Sequence, residues 1–205
     1  MTRNLIAILR GIQPEEIEAI TQALLNAGIK QIEVPLNSPR PMESIKRMCK
    51  SFAGQGLFGA GTVRTLEEVK QLAELGADMV ISPHCDIDII KATKSYGMKS
   101  LPGMMTPSEA FTALQAGADG LKIFPGEIIT PVGFKVMKAV LPPETLSIAV
   151  GGVNIDNFDA WRGAGIDGFG IGSALYKAGD SPDRVAQKAK AIVAAYDKVM
   201  PCQHN

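Results

Sequence analysis

Apolar residues along this chain follow two alternating rhythms. Short runs rich in β-branched residues recur at Leu5–Arg10, Gln31–Leu36, Leu57–Thr62, Met79–Ser82, Lys99–Leu101, Gly120–Phe124, Leu146–Val150 and Gly168–Ile171, and each predicts a strand. Helix-length patterns fill the intervals at 14–27, 41–53, 65–76, 86–96, 107–117, 131–140, 155–164 and 182–199. Start signals sit where they should. Pro14 precedes Glu15 and Glu16, Thr65 precedes Glu67 and Glu68, and Thr106-Pro107-Ser108-Glu109 offers a cap, a first-turn proline and an acidic first turn. Gly28, Gly76, Gly117 and Gly165 each close a helix, and a small or β-branched residue then leads into the next strand. Their irregular spacing excludes a solenoid and fits one βα unit used repeatedly. Eight such units without a linker predict an α/β fold, a single (β/α)8 TIM barrel over residues 1–205. The alternative, a doubly wound open sheet, is disfavoured because no G-x-G-x-x-G follows the first strand.

Side chains alternate along a strand, so one parity faces the helices and the other faces the barrel interior. In the sixth candidate strand Leu121 and Ile123 suit the helix layer, which turns Lys122 and Phe124 inward. In the second, Ile32, Val34 and Leu36 face outward and Glu33 points in with Pro35 and Asn37. In the first, Ile6, Ile8 and Arg10 are inside; in the third, Phe58, Ala60 and Thr62 share a parity, with Thr62 at the C-terminal end. A structural Glu33–Lys122 ion pair is the bland reading. Three inward ionisable groups near the strand C-termini favour chemistry, because barrel enzymes place their sites at that end. A lysine in a low-dielectric interior gives up part of its preference for the charged form, and a neutral amine can attack a ketone to form an imine. A carboxylate within reach can then move protons during C–C cleavage. Glu33 is the inward carboxylate placed to do so.

The last two strands end in glycine. Gly151-Gly152 follows Val150, and Gly170-Ile171-Gly172-Ser173 leads into Ala174-Leu175-Tyr176. Barrels often hold phosphate at these loops and at a short helix after the eighth strand, where backbone N–H groups meet the anion. Gly151, Gly152, Gly172 and Ser173 are therefore the predicted phosphate site, for a small mono-phosphorylated ligand.

Composition narrows the field. The 205 residues are few for this fold, which usually runs to about 250. Hydrophobic residues make up 46%, enough for a large core. Lys+Arg and Asp+Glu both total 21, so no net charge points to nucleic acid or an acidic membrane. Cys49, Cys85 and Cys202 form no C-x-x-C pair and read as reduced thiols of a cytoplasmic protein. The run Leu5–Leu9 is too short for a signal peptide core or a membrane span. His84 and His204 lack partners at metal-ligand spacing, so neither a metal nor another cofactor is expected. The methionines and Trp161 read as packing, and Lys135 and Lys138 as solvated.

Taken together, Ile8-Leu9-Arg10-Gly11, Ile32 to Pro39, Gly59-Ala60-Gly61-Thr62-Val63, Ser82-Pro83, Leu121 to Pro125, Val150 to Val153 and Gly170 to Ser173 form a specific set. Nearly end to end, the chain resembles the bacterial family of 2-keto-3-deoxy-6-phosphogluconate (KDPG) and 2-dehydro-3-deoxy-6-phosphogalactonate (KDPGal) aldolases. The resemblance implies a metal-independent, trimer-forming Schiff-base aldolase that releases pyruvate and a triose phosphate. It puts Lys122 on the imine position, Glu33 on the acid/base, and Thr62 on a pyruvate contact. Arg10, Asn37, Pro83, Phe124 and Val150 complete the implied substrate set, and the four phosphate residues are those named above. Asn37 stands where the gluconate type has arginine, and Val150 where it has threonine; both point to the galactonate branch, with Arg10 supplying the charge for the substrate carboxylate. The longer N-terminal segment that caps the barrel bottom in the gluconate type has no counterpart in this sequence. Three alternatives remain open: gluconate or 4-hydroxy-2-oxoglutarate activity, a phosphate-binding barrel isomerase or synthase without an imine, and a non-catalytic phosphosugar-binding barrel.

Overall fold

The computed structural model describes residues 3–200, so Cys202 and His204 lie outside the described residues. Along the chain the elements are β1 (Leu5–Ile8), α1 (Ile17–Ala27), β2 (Gln31–Pro35), α2 (Pro41–Ser51), β3 (Leu57–Gly61), α3 (Leu66–Glu74), β4 (Met79–Ile81), α4 (Ile87–Ser95), β5 (Lys99–Ser100), β6 (Gly103–Met104), α5 (Pro107–Gln115), β7 (Leu121–Ile123), α6 (Gly126–Lys138), β8 (Ser147–Val150), α7 (Phe158–Gly163), β9 (Gly168–Ile171) and α8 (Pro182–Val199). The strands run β5-β4-β3-β2-β1-β9-β8-β7-β6, and the pairings are parallel. The two end strands, β5 and β6, are halves of one segment interrupted at Leu101-Pro102, where proline has no N–H for the ladder. The ladder still passes through the break: Leu101 N–H donates to Val80 O at 3.0 Å, and Lys122 N–H donates to Pro102 O at 2.9 Å. Residues 99–104 thus join β4 to β7 and close an eight-fold barrel. The chain order never reverses, which rules out the doubly wound alternative.

The predicted parities hold within the strands, whereas Arg10, Asn37 and Thr62 lie past the ends of β1, β2 and β3. Leu5, Ala7, Leu9, Ile32, Val34, Phe58, Ala60, Leu121 and Ile123 belong to the layer packed against the helices. A separate, smaller cluster fills the barrel interior: Ile6, Ile8, Met79, Ile81, Leu101, Ile148 and Val150. Trp161 is buried against Phe134 as expected, with ring centroids 6.2 Å apart.

Helix starts follow the local chemistry. Thr65 and Thr106 each form a capping box, with Glu68 and Glu109 respectively, and Pro107 occupies the first turn of α5. α1 opens later than expected, at Ile17, because residues 14–16 form a turn. α6 opens earlier, at Gly126, and is broken at Thr130 (φ 58°, ψ 160°) just before Pro131, where the sequence predicted its start. Gly126 permits the extra turn, since a Cβ there would lie 2.5 Å from Gly151 O. Lys138 is not simply solvated: its Nζ donates to Thr145 O at 2.9 Å and reaches Asp167 at 3.4 Å. Among the described residues no helix is long and apolar enough to cross a membrane.

A repeated device fixes the barrel at its N-terminal end. Asp78, Asp119 and Asp167 each stand two residues after a helix-closing glycine. Each exchanges a pair of hydrogen bonds with one residue of the preceding strand. Asp78 N–H donates to Phe58 O at 2.7 Å, and its carboxylate accepts from Phe58 N–H at 2.9 Å. Asp119 does the same with Ser100, and Asp167 with Ser147. Between these anchors the bottom is an open cup of about 660 Å³, lined by Leu57, Leu101 and Leu146 with polar Gln31, Gln55 and Lys99. Asp78→Ala removes a charge-assisted bond and leaves the Phe58 N–H unpaired. We expect a loss of about 1–3 kcal/mol, read from urea unfolding, with the fold otherwise retained.

Candidate active site

Lys122 sits in the middle of β7, and strand alternation turns it inward, next to Gly103 of β6 and Ile148 of β8 in register. Glu33 is inward on β2, beside Ile8 and Gly59. Both are buried, at 7% and 2% exposure, inside the apolar interior cluster. No ion pair joins them. Among the described residues Glu33 Oε2 has no hydrogen-bond partner, and Lys122 Nζ lies over the Phe124 ring, 4.5 Å from its centroid. The structural ion pair is therefore not formed, and a buried carboxylate oxygen left unpaired calls for another explanation. Glu33 fits only because residue 61 is glycine: a Cβ there would collide with both carboxylate oxygens.

Burial dominates the titration of both groups. It pushes the Glu33 carboxyl up to about 7, against the opposing pull of Lys122, Arg10 and a backbone hydrogen bond from Gly61. It holds Lys122 below the ordinary lysine range; Glu33 opposes that shift, and Arg10 reinforces it. A carboxyl that titrates near neutrality beside an amine with reduced basicity can exchange a proton with little driving force either way.

Above this pair the barrel opens into a cleft of about 600 Å³. Ile8, Val150 and Gly170 line both the cleft and the small apolar void below it, which Lys122 and Glu33 also line. The cleft brings together Arg10, Phe124, Val150, Gly151, Gly152, Gly172 and Ser173, all predicted from the sequence. Asn37, Thr62 and Pro83 line neither cavity. Asn37 instead accepts a short hydrogen bond from Arg10 Nη1, and its neighbour Ser38 accepts from Gly11 N–H at 3.0 Å. The Asn-Ser pair thus aims the loop after β1. Thr62 follows β3 with φ 60°, a strained backbone for a β-branched residue, next to the glycine that seats Glu33. Thr62 is therefore outside the extended strand, and strand parity does not fix its facing. Pro83 packs its carbonyl against Gly103 at the end of β4.

The glycine loops carry a set of free donors. Among the described residues no acceptor meets the backbone N–H groups of Gly151, Gly152, Gly172 or Ser173. Gly151 and Gly152 have φ of 101° and 65°, a conformation that suits glycine. The Gly152 carbonyl is held from behind by Asn157 Nδ2 at 2.8 Å and Asn154 Nδ2 at 3.3 Å, which leaves the donors turned away from the protein's own acceptors. The short helix expected after the last strand is a single turn, closed by Leu175 and Tyr176 N–H on Gly172 O. Such an array of unpaired N–H groups suits an anion. Sequence reasoning missed Asn157, Glu127, Lys177 and Gly61. Glu127 and Lys177 line the cleft, Asn157 orients its loop, and Gly61 seats the carboxylate. The unbroken pattern Gly59-Ala60-Gly61 was the available signal for the last. Among the described residues no group of three or more His, Cys, Asp or Glu side chains is placed to hold a metal ion.

Comparison with known proteins follows the same lines. The sequence matches the profile of a family described as KDPG and KHG aldolase over residues 1–187. It is 46% identical over 192 residues to a 2-dehydro-3-deoxy-6-phosphogalactonate aldolase of Escherichia coli (strain K12), covering 94% of each chain. A solved structure described as native KDPGal superposes with a TM-score of 0.96 at 44% identity, covering 98% of each chain. A chain of a cube-shaped, highly porous cage, designed by fusing symmetric oligomeric domains, superposes with a TM-score of 0.95 at 44% identity, covering 97% of this chain and 74% of that one.

The raised Glu33 carboxyl makes a prediction about stability. Its folded value of about 7 exceeds the ordinary 4.5, so between those values the folded state binds more protons than the unfolded state. Stability from this group is then full below pH about 4.5 and falls as pH rises through 7. In Glu33→Gln that fall disappears, and the difference between the two proteins should change by roughly 1–3 kcal/mol across the window. Parallel urea unfolding curves for both proteins at pH 5 and pH 7.5 would contradict it.

Proposed function

The chain belongs to the KDPG and KHG aldolase family, and from that premise we propose that it is a class I aldolase, a carbon–carbon lyase that cleaves 2-dehydro-3-deoxy-6-phosphogalactonate to pyruvate and D-glyceraldehyde 3-phosphate. The observation that carries this reading is a buried lysine with lowered basicity, unpaired, beneath a cleft whose far wall offers free backbone donors. The kinship supports the galactonate substrate, since the relative of that name matches over nearly its whole length.

In this reading Lys122 Nζ, as the neutral amine, adds to the C2 ketone and expels water to give the imine. Glu33 takes the C4 hydroxyl proton, and the C3–C4 bond breaks with its electron pair drawn into the imine. The triose phosphate leaves as the aldehyde. Glu33 returns a proton to C3 of the enamine, and hydrolysis frees pyruvate and the amine. A carboxyl near 7 suits both halves of that cycle. Arg10, aimed by Asn37, holds the C1 carboxylate; Thr62 and Pro83 border the pyruvate part, and Phe124 packs beside the amine. Gly151, Gly152, Gly172 and Ser173 hold the 6-phosphate. With both ends of the substrate anchored, Val150 faces C4 and offers no hydrogen bond, which leaves the galacto epimer uncompromised.

We also assign the chain to the cytoplasm and to a homotrimer. Val132 and Val136 stand one turn apart on α6 after its break, Ile128 lies before the break and Val140 just past the helix, and all four are 58–76% exposed. Exposed apolar side chains grouped in this way are unusual on a monomer surface, and a heterologous contact that closes after three copies would cover them. The related chain of a cage designed by fusing symmetric oligomeric domains supports an oligomer.

Incubation with pyruvate and borohydride should add one pyruvate-derived mass to the Lys122 peptide, and Lys122→Met should abolish both label and turnover. The galacto substrate should be cleaved faster than its C4 epimer. Label elsewhere, or none, sinks the mechanism; a preference for the gluco epimer sinks the substrate. Val136→Glu should convert the trimer to monomer in light scattering; an unchanged mass would remove α6 from the interface.

A further inference from the structure

The wall of the cleft carries a group that the phosphate reading leaves unexplained. Glu127 lies in the first turn of α6 and lines the same cavity as the free donors of Gly151, Gly152, Gly172 and Ser173. Its side chain rests directly on the glycine loop. A Cβ on Gly151 would come within 2.5 Å of Glu127 Oε2, and one on Gly152 within 2.6 Å of Glu127 Cγ. The close approach is built in from both sides: Gly126, just before it, could not carry a Cβ either, with Gly151 O at 2.5 Å and Val150 O at 3.0 Å. Yet among the described residues the carboxylate has no hydrogen-bond or ion-pair partner. An unpaired negative charge therefore sits beside a set of unpaired donors suited to an anion. A dianionic phosphate seated there meets a like charge at short range, in a cleft where screening is incomplete.

We propose that Glu127 is an affinity-determining residue of the phosphate seat, whose charge repels the phosphate of the substrate at the Gly151–Ser173 donors. The carboxylate lies against Gly151 and Gly152 without bonding to their N–H groups, so a phosphate held there meets its charge. Because Glu127 is exposed and unpaired, it can swing toward solvent with no partner to lose. The cleft then grips phosphate less tightly than its donors alone would allow, which favours departure of the triose phosphate product. Arg10 and Lys177, the cationic side chains lining the cavity, supply the attraction that this repulsion tempers. The inference rests on the phosphate seat assigned above and names a second determinant of its affinity.

The test is a phosphorus NMR titration of the full-length protein with inorganic phosphate, comparing wild type, Glu127→Gln and Glu127→Ala at low salt. Both variants should bind phosphate about tenfold more tightly, the order expected from removing one unit charge a few ångströms away. The gain should shrink as salt is raised. Glu127→Ala is the decisive variant, because a glutamine amide could add a donor of its own. Unchanged or weaker binding in Glu127→Ala overturns the proposal and makes Glu127 a structural spacer or an acceptor for a substrate hydroxyl. Absence of phosphate binding in all three proteins overturns it as well. Pyruvate trapping by borohydride on the same samples keeps the two readings apart: if no protein traps pyruvate, the imine reading fails while the phosphate affinities still decide the role of Glu127.

Discussion

Closing a parallel sheet into a barrel leaves half of each strand's side chains with nowhere to go but inward, and in this chain two of those positions are ionisable. The surrounding interior offers Ile6, Ile8, Ile81, Leu101, Ile148 and Val150, none able to accept or donate a hydrogen bond. Lys122 and Glu33 are close enough to feel one another and too far apart to pair. Each is pushed toward its neutral form, because the cost of taking a charge out of water exceeds what the other returns at that separation. The site exists because the rest of the barrel outweighs that cost, through a layer of apolar residues against the helices that is far larger than the interior cluster.

Around that pair the polar residues are arranged by backbone geometry more than by side-chain reach. Gly61 makes room for the carboxylate, Asn37 and Ser38 steer the Arg10–Gly11 corner, and Asn154 and Asn157 pin one carbonyl so that the neighbouring N–H groups stay unclaimed. Small residues and amides thus perform the positioning, while the groups with strong chemistry stay few.

Most of the architecture could be read in the sequence because strand alternation is a period of two and helices announce their ends. The inward Lys122 and Glu33 followed from counting parity alone. α8 and β9 match their predicted spans, and the Thr65 and Thr106 caps form as their residue types required. What escaped the sequence depended on contacts between distant segments. The first turn of α6 needs Gly126 against Gly151, so Glu127 could not be placed from local pattern. Thr62 leaves the alternation through a left-handed backbone that no propensity assigns to threonine. The split of the fifth strand around Pro102 was visible as a proline, but its continuation through Gly103–Met104 depended on partners in β4 and β7. The aspartates after Gly76, Gly117 and Gly165 stood in plain view as a repeat, and only their strand partners gave it meaning.

Those three aspartates hold register at the end of the barrel opposite the cleft. Each ties the start of one strand to its neighbour without using any residue of the upper loops. The loops above are therefore relieved of specifying the alignment of the sheet. A loop at the mouth can then differ in sequence while these three strand pairs keep their alignment.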